Sequence, residues 1–226
     1  MTRLRLMSYN VGGLRGDLAA MVAVVRAQRP DVVAVQEAPR RLRWRSRCAD
    51  LARRFQLVYA AGGLPGLGNL LLVDLRVRVH DTWCLRYPLT PGRHMRGAAL
   101  ARCSVGDSTF VVAGTHLATD PAERPGQAEI LATALAEVSQ PLIVAGDFNE
   151  EPGGAAWAAV ADGRIDAGDP AGAGGVATYP ATGPTQRLDA ILVDRRFGVS
   201  DCRVVDTAEA RRASDHLPVV VDLTLP

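Results

Sequence analysis

The sequence contains no lysine, so all 26 of its basic residues are arginine. Arginine binds phosphate through two parallel hydrogen bonds, but the richness in alanine and glycine favours a general compositional bias as the explanation. With 24 acidic residues, the net charge is only +2. A dedicated nucleic-acid binder carries a strongly basic surface, so this balance argues against one and leaves only a locally basic face open.

Long apolar runs and clustered cysteines are also missing. No apolar stretch approaches the roughly 18 residues that a membrane span requires. After Arg3 and Arg5, only Leu6 and Met7 precede polar residues, so the N-terminus has no signal-peptide core. We therefore expect a cytoplasmic protein, or one already processed. The four cysteines lie far apart, with no histidine at zinc spacing, which predicts reduced side chains and no zinc site.

The order of apolar patterns predicts one α/β domain over residues 1–226, expected to be a monomer. A strand, a helix and a second strand are expected first, because apolar residues recur at helical spacing between two short apolar runs. The carboxyl ends of both strands then lie at one edge of a sheet. The remaining expected helices span residues 39–56, 121–137 and 153–160. The remaining expected strands span residues 57–60, 69–75, 77–85, 98–105, 109–114, 142–145, 189–193, 199–205 and 217–223.

Several of these segments have a further interpretation. The four strands between residues 69 and 114 are joined by short connections, which predicts an antiparallel meander. The order strand, helix, strand and meander occurs twice, which predicts two similar halves with stacked sheets. The arginine-rich helix 39–56 is interpreted as a solvated face rather than a substrate site. The loop 87–97 is a candidate substrate rim, whereas His80 and His94 are expected to be ordinary surface residues.

Polar or ionisable side chains stand repeatedly at the boundaries of apolar strands. In an extended chain Asp147 and Asn149 point the same way, so both can serve one site while Phe148 turns into the core. Two acids with an asparagine suit a hard cation such as Mg²⁺, and two histidines beside further acids suit phosphate binding and proton transfer. The boundary residues are Asn10, Glu37, His116, Asp147, Asn149, Asp189, Asp215 and His216.

These positions lie in motifs that resemble those of the endonuclease/exonuclease/phosphatase superfamily, the DNase I-like proteins. The motifs are Ser8-Tyr-Asn10-Val-Gly-Gly-Leu14, Val35-Gln-Glu37, Gly114-Thr-His116-Leu117, Gly146-Asp147-Phe-Asn149, Leu188-Asp189-Ala-Ile-Leu192 and Ser214-Asp215-His216-Leu-Pro218. Weaker matches are Gly68-Asn69-Leu-Leu and Glu123-Arg-Pro-Gly-Gln127. The resemblance implies an α/β (α+β) fold: a four-layer α/β/β/α sandwich with two stacked mixed sheets flanked by helices.

The resemblance also implies a role for each residue. Glu37 would hold Mg²⁺ or Mn²⁺, with Asn10 and Asp215 close to it. Asp147 would orient or deprotonate the attacking water, with support from Asn149. His216, paired with Asp189, and His116 would bind the scissile phosphate and stabilise its developing charge. Arg96 and Asn69 are expected to contact the substrate.

Two departures from the family patterns narrow the expected function. Gly12 stands where abasic-site endonucleases usually carry an aspartate, and Thr115-His116-Leu117 replaces their tyrosine-containing segment. We therefore expect a metal-dependent phosphodiester hydrolase from the branch of DNase I, sphingomyelinases and sugar or lipid phosphatases. Nucleic acid is the favoured substrate. The alternatives are a phosphomonoesterase, a lipid-headgroup or sugar phosphodiesterase, and, more remotely, a catalytically silent binding module.

Overall fold

A computed structural model describes residues 2–169, 172 and 175–226. Its strands are β1 (Arg3–Asn10), β2 (Val32–Gln36), β3 (Val58–Gly62), β4 (Leu70–Val73), β5 (Arg78–Arg86), β6 (Gly97–Val105), β7 (Ser108–His116), β8 (Leu142–Asp147), β9 (Arg164–Asp166), β10 (Asp189–Asp194), β11 (Gly198–Val204) and β12 (Val219–Thr224). Its α-helices are α1 (Leu18–Gln28), α2 (Trp44–Phe55), α3 (Arg124–Ala136), α4 (Ala155–Ala161) and α5 (Ala208–Ala213). None of these helices is long and apolar enough to cross a membrane.

The strands form two mixed sheets of six strands each. The first sheet has the order β11-β12-β1-β2-β4-β3 and the second has the order β5-β6-β7-β8-β10-β9. Each sheet contains one parallel pair near its centre, β1 with β2 and β7 with β8, and each pair is joined by a helix. The two sheets therefore share one arrangement of strands, but the prediction of two halves that each form a sheet is wrong, because β11 and β12 from the end of the chain complete the first sheet.

Three apolar layers hold the sandwich together. The two sheets pack face to face over side chains such as Leu6, Val112 and Ile143. Helices α1, α2 and α5 cover the outer face of the first sheet, and α3 and α4 cover that of the second. Each fully buried aliphatic side chain stabilises the fold by about 1.5–3 kcal/mol. The four layers are those of the predicted α/β/β/α sandwich.

The alternation of side chains along each strand determines which residues reach the space between the sheets. In β8, Ile143 and Ala145 point into the inner core, so Asp147, two residues further, also points inward. The same alternation turns Asn10, His116 and Asp189 inward at the ends of β1, β7 and β10. The inner core therefore ends in a row of polar side chains at one edge of the sandwich, which we call the catalytic edge.

The predicted meander of four strands is wrong in one respect. Strands β5, β6 and β7 form an antiparallel meander, but β4 pairs with β2 and β3 in the other sheet. The chain crosses between the sheets in the short turn between Val73 and Arg78, where the amide of Val77 donates to the carbonyl of Asp74. A short connection fits either a hairpin or a change of sheet, so its length could not distinguish the two.

The structure also differs from the sequence-based expectation in several short elements. Strand β9 and helix α5 were not expected; both are short, and α5 is capped by Thr207, whose hydroxyl accepts from the amide of Ala210. Strand β2 ends at Gln36, so Glu37 follows the strand instead of ending it. Within the segment 162–175, for which the sequence predicts no element, residues 170, 171, 173 and 174 lie outside the described residues.

Candidate active site

Strand register brings the polar residues of the catalytic edge together around Asp147. His116 on β7 and Asp189 on β10 are the direct neighbours of Asp147 in the second sheet. Asn10 approaches from the first sheet, and its Nδ2 donates to Asp147 Oδ2 over 2.9 Å. This hydrogen bond joins the two sheets at the point where both parallel strand pairs end.

Asp147 is a buried carboxylate held between two histidines. It is only 1% exposed, and its Oδ2 lies 3.2 Å from His116 Nε2 and 3.7 Å from His216 Nε2. Burial alone would raise the pKa of Asp147, but His116, His216 and the amide of Asn149 hold that pKa below its ordinary range. The carboxylate is therefore ionised at neutral pH.

Asn149 reaches the site by a turn, so the expected extended geometry is wrong. Its φ is +49°, and its amide donates to Asp147 Oδ1 over 2.9 Å, which is an Asx turn. Its Nδ2 donates to the carbonyl of Leu117 over 2.9 Å and lies 3.0 Å from His116 Nε2. Phe148 is fully buried in the outer core as predicted, in an edge-to-face contact with Trp157.

His216 forms a buried pair with Asp189, over 2.8 Å from its Nδ1 to Asp189 Oδ2. Burial alone would lower the pKa of His216, but the charge and hydrogen bond of Asp189 raise it to about 9. Burial raises the pKa of Asp189 above its ordinary value, and the negative charge of Asp147 adds to this increase. The pair is best described as an imidazolium beside a carboxylate, with Nε2 facing Asp147.

Two residues that support this pair were missed in the sequence. The hydroxyl of Thr178 donates to Asp189 Oδ2 over 2.7 Å, and the ring of Tyr179 lies 4.8 Å from that of His216. Both belong to an irregular segment, with a single bridge between Tyr179 and Gln186. No strand period or motif marks these positions, so no sequence signal could have found them.

The three predicted metal ligands line one cavity of about 290 Å³ together with Asp147 and His216. Glu37 is partly exposed, and its Oε2 lies 3.4 Å from Arg15 Nη2. Asp215 is exposed next to Gly12, where an added Cβ would lie 2.9 Å from Asp215 Oδ1. A side chain at position 12 would require the Asp215 carboxylate to shift.

The donor atoms at this edge fit a divalent cation in two ways. Glu37, Asp215 and the amide oxygen of Asn10 form an all-oxygen set, which Mg²⁺ prefers. Asp147, Asp189 and His216 also offer ligand atoms within 4.8 Å of one another. In this second group, Asp189 Oδ1 is buried without a hydrogen-bond partner in the described part of the chain. We favour the first set because it offers oxygen ligands alone, whereas His216 Nδ1 in the second group is already bonded to Asp189 Oδ2.

Arg96 and Asn69 have different surroundings. Arg96 is 7% exposed and lines the cavity, and its Nη1 donates to His116 Nδ1 over 3.3 Å. Asn69 is fully buried and does not line the cavity; its Nδ2 donates to the carbonyls of Gly66 and Gly97. The structure therefore places Asn69 behind the segment that carries Arg96, and the expected contact between Asn69 and substrate has no support from this position.

A second cavity of about 430 Å³ adjoins the first and shares Glu37, Arg96 and His116 with it. The second cavity, which we call the arginine cavity, is lined by Arg15, Arg40, Arg41, Arg47 and Arg96, with the exposed His94. The interpretation of the segment 39–56 as a solvated basic face is therefore incomplete. His80 is exposed as predicted, and its Nε2 lies 2.8 Å from Ser104 Oγ.

Two stacked six-stranded mixed sheets between layers of helices, with acids and histidines at one edge, define the DNase I-like fold. The chain belongs to the endonuclease/exonuclease/phosphatase family, whose model matches residues 7–216. Members of this family are hydrolases that act on phosphoester bonds. The resemblance seen in the sequence motifs is thus confirmed for family and fold. No curated protein matches this sequence.

Three solved structures with this fold match the chain along nearly its whole length. An endonuclease/exonuclease/phosphatase from Bacteroides vulgatus has a TM-score of 0.81 at 19% identity, over 100% of both chains. A mannosyl-6-phosphatase from Bacteroides thetaiotaomicron has a TM-score of 0.81 at 17% identity, over 98% of this chain and 100% of that one. D. rerio TDP2 in complex with a single-strand DNA product has a TM-score of 0.79 at 19% identity, over 99% and 100%. At these identities the likeness establishes the fold alone.

Proposed function

We propose that this protein is a divalent-metal-dependent phosphoesterase that hydrolyses phosphodiester bonds at the catalytic edge. The observation that carries the proposal is the position of Asp147: a buried, ionised carboxylate held by Asn10 and flanked by two histidines. Hydrolysis of a phosphoester needs an aligned water and neutralisation of charge on the phosphate. The groups around Asp147 can supply both.

Asp147 orients the attacking water in this mechanism. Because its pKa lies below the ordinary range, it is a weak base and acts mainly as a fixed hydrogen-bond acceptor for the water. Asn10 and the amide of Asn149 bond to its two oxygens and hold the carboxylate in place. Such preorganisation avoids the cost of reorienting groups during the reaction.

His216, His116 and Arg96 bind the phosphate. His216 carries a positive charge at neutral pH, which favours developing negative charge on a phosphate oxygen. Arg96 Nη1 lies 3.3 Å from His116 Nδ1, and His116 Nε2 lies 3.2 Å from Asp147 Oδ2, so Arg96 and Asp147 hold the His116 ring between them. Asp189, supported by Thr178, orients the His216 ring.

Glu37, Asn10 and Asp215 would hold the cation, which when bound neutralises charge on the phosphate oxygens. Asn10 Oδ1 accepts from the amide of Gly12 over 3.0 Å, so its orientation is fixed. Ser214 donates to the carbonyl of Asn10 over 2.7 Å and lies 3.3 Å from Asp215 Oδ1, which links two of the ligands.

A phosphomonoesterase or a headgroup phosphodiesterase is the second candidate. It is favoured by the small size of the two adjoining cavities, about 290 and 430 Å³, because compact pockets suit small molecules. The related structures include both a mannosyl-6-phosphatase and a protein bound to single-strand DNA product, so substrates of both kinds need testing. Residues 1–226 as one domain, the monomeric state and the cytoplasmic location stay predictions.

Metal removal and a substrate panel test the proposal. Purified protein should hydrolyse bis-p-nitrophenyl phosphate, lose this activity in EDTA and regain it on addition of Mg²⁺ or Mn²⁺. Nicking of plasmid DNA, or release of inorganic phosphate from p-nitrophenyl phosphate, then separates the two candidates. Full activity after dialysis against EDTA would exclude the metal-dependent mechanism. Absence of turnover on every phosphoester, with no cation binding by calorimetry, would favour the silent binding module.

A further inference from the structure

The arginine cavity has a charge composition unlike the rest of the surface. Five arginines line it, and Glu37 is the only carboxylate among its lining residues. Elsewhere arginines are commonly paired, as in Arg187 with Asp166, Arg196 with Asp194 and Arg211 with Asp206. Within the described residues, Arg41 and Arg47 form no side-chain hydrogen bond or ion pair. This cavity therefore combines five arginines with a single carboxylate on one concave surface.

Arg96 provides a second, independent observation that points to an anionic ligand. Its side chain is more than nine-tenths buried, lines both cavities and has no carboxylate at ion-pair distance in the described part of the chain. Its Nε is buried without a hydrogen-bond partner there. A buried cation without an ion-pair partner costs free energy, and an anionic ligand would reduce this cost.

Two further groups of this cavity are held in fixed positions before any ligand binds. Arg40 Nη1 donates to the carbonyls of Leu67 and Met95 over 2.8 and 2.9 Å. Arg15 Nε donates to the carbonyl of Gly12 over 2.8 Å. A cavity with preplaced guanidinium groups loses less side-chain entropy on binding an anion than a flexible surface does.

We propose that the arginine cavity binds a second phosphate group of the substrate while the scissile phosphate lies at Asp147. The proposal rests on the proposed phosphoesterase function and narrows its substrate class to molecules with two phosphates. The shared residues Glu37, Arg96 and His116 make the two cavities continuous, so one molecule can occupy both. A planar guanidinium group can donate to two oxygens of a phosphate at once. Several guanidinium groups in one cavity therefore suit a phosphate, with its three or more oxygens, better than a single carboxylate.

The chemistry is compatible with two sources of the second phosphate. It could belong to a small bisphosphorylated molecule or to the neighbouring nucleotide of a nucleic-acid strand. Calorimetry with Mg²⁺ present should therefore compare two ligand pairs: a hexose monophosphate with a hexose bisphosphate, and the dinucleotide TpT with pTpT. In at least one pair, the ligand with the additional phosphate should bind about tenfold or more tightly, the effect of one charge-assisted contact.

The double variant R41A/R47A tests whether this preference arises in the arginine cavity. Both side chains are exposed, so the fold should be retained, which circular dichroism checks. We expect the affinity ratio within the responding pair to fall to near one, and R41K/R47K to restore part of it because the charge returns. The control R3A/R78A removes two exposed arginines at the ends of β1 and β5 away from the site and should leave the ratio unchanged.

The outcomes distinguish this proposal from the proposed function. A response in the hexose pair identifies a small molecule as the source, and a response in the dinucleotide pair identifies nucleic acid. No preference in either pair, or an unchanged ratio in R41A/R47A, would overturn the second-phosphate proposal even if bis-p-nitrophenyl phosphate is hydrolysed. Failure to hydrolyse both bis-p-nitrophenyl phosphate and p-nitrophenyl phosphate would instead refute the phosphoesterase function, while the calorimetric comparison of ligand pairs would still report on the arginine cavity.

Discussion

The two ends of the sandwich treat charge in opposite ways. At the end opposite the catalytic edge, a cavity of about 320 Å³ is lined by arginines and aspartates in nearly equal number. There Arg5 Nε lies 2.6 Å from Asp222 Oδ1, and Arg76 Nε lies 2.7 Å from Asp31 Oδ1. At the catalytic edge, Asp147, Asp189 and His216 are buried close together, and Arg96 has no ion pair among the described residues.

The difference between the two ends distinguishes charges that stabilise the fold from charges that serve catalysis. Partly exposed pairs such as Arg5 with Asp222 each stabilise a fold by about 1 kcal/mol or less. Buried carboxylates that face one another cost stability unless compensated, and proteins keep such groups mainly at functional sites. At one end of the two sheets the charges are therefore balanced by nearby opposite charges, and at the catalytic edge they are not balanced in this way. We expect variants at the balanced end to change stability and variants at the catalytic edge to change activity.

The largest expected effect comes from the centre of the catalytic edge. Asp147→Asn keeps the shape of the side chain but removes the negative charge that orients the water. We expect kcat/KM on bis-p-nitrophenyl phosphate to fall about 10³-fold. The matched control Asp107→Asn lies in the exposed turn between β6 and β7 and should retain wild-type activity. Activity of Asp147→Asn within tenfold of wild type would refute the assigned role of Asp147.

A smaller effect, with a pH signature, is expected for His216. The pKa of His216 is raised to about 9, so the imidazolium that binds phosphate is present below that pH and is lost above it. The kcat/KM of the wild-type protein should therefore decline as pH rises through about 9. His216→Asn should lower kcat/KM about 10²-fold at pH 7 and remove this decline. The control His80→Asn should keep the wild-type profile, and a decline that persists in His216→Asn would assign it to another group.

The smallest effect is expected at the balanced end and should concern stability alone. The hydrogen bond from Arg5 lowers the pKa of Asp222, so the pair stabilises the fold above the ordinary aspartate pKa, and this contribution is lost as pH falls through the lowered value. Asp222→Asn should reduce the free energy of unfolding by about 1 kcal/mol at pH 7, measured by urea denaturation, with kcat/KM unchanged. The difference should shrink toward zero in strongly acidic solution. A loss of activity at neutral pH would show that the two ends are coupled.

Much of the site could be predicted because strand alternation is visible in the sequence. Ile143 and Ala145 stand four and two residues before Asp147, so all three point to the same face of the sheet. The alternating residues before Asn10 and His116 indicate in the same way that these side chains point inward. The geometry of the chain beyond the strand ends was harder to predict from the sequence. Asn149 adopts a left-handed conformation in a turn, and Asn69 is buried behind Arg96 instead of facing the cavity. Turn conformation depends on neighbouring contacts as well as on local sequence, so spacing alone could not decide either case.

The sequence by itself determined the strand ends, the acids and histidines placed there, and the family motifs, because these depend on local period and residue type. Only the tertiary structure decided that Arg40, Arg41 and Arg47 share a cavity with Arg96, and that Thr178 supports Asp189. It also decided the direction of each pKa shift. The burial of a charged group and its distance from other charges depend on which segments the two sheets bring together. These segments are far apart in the sequence, so no local pattern predicts the shifts.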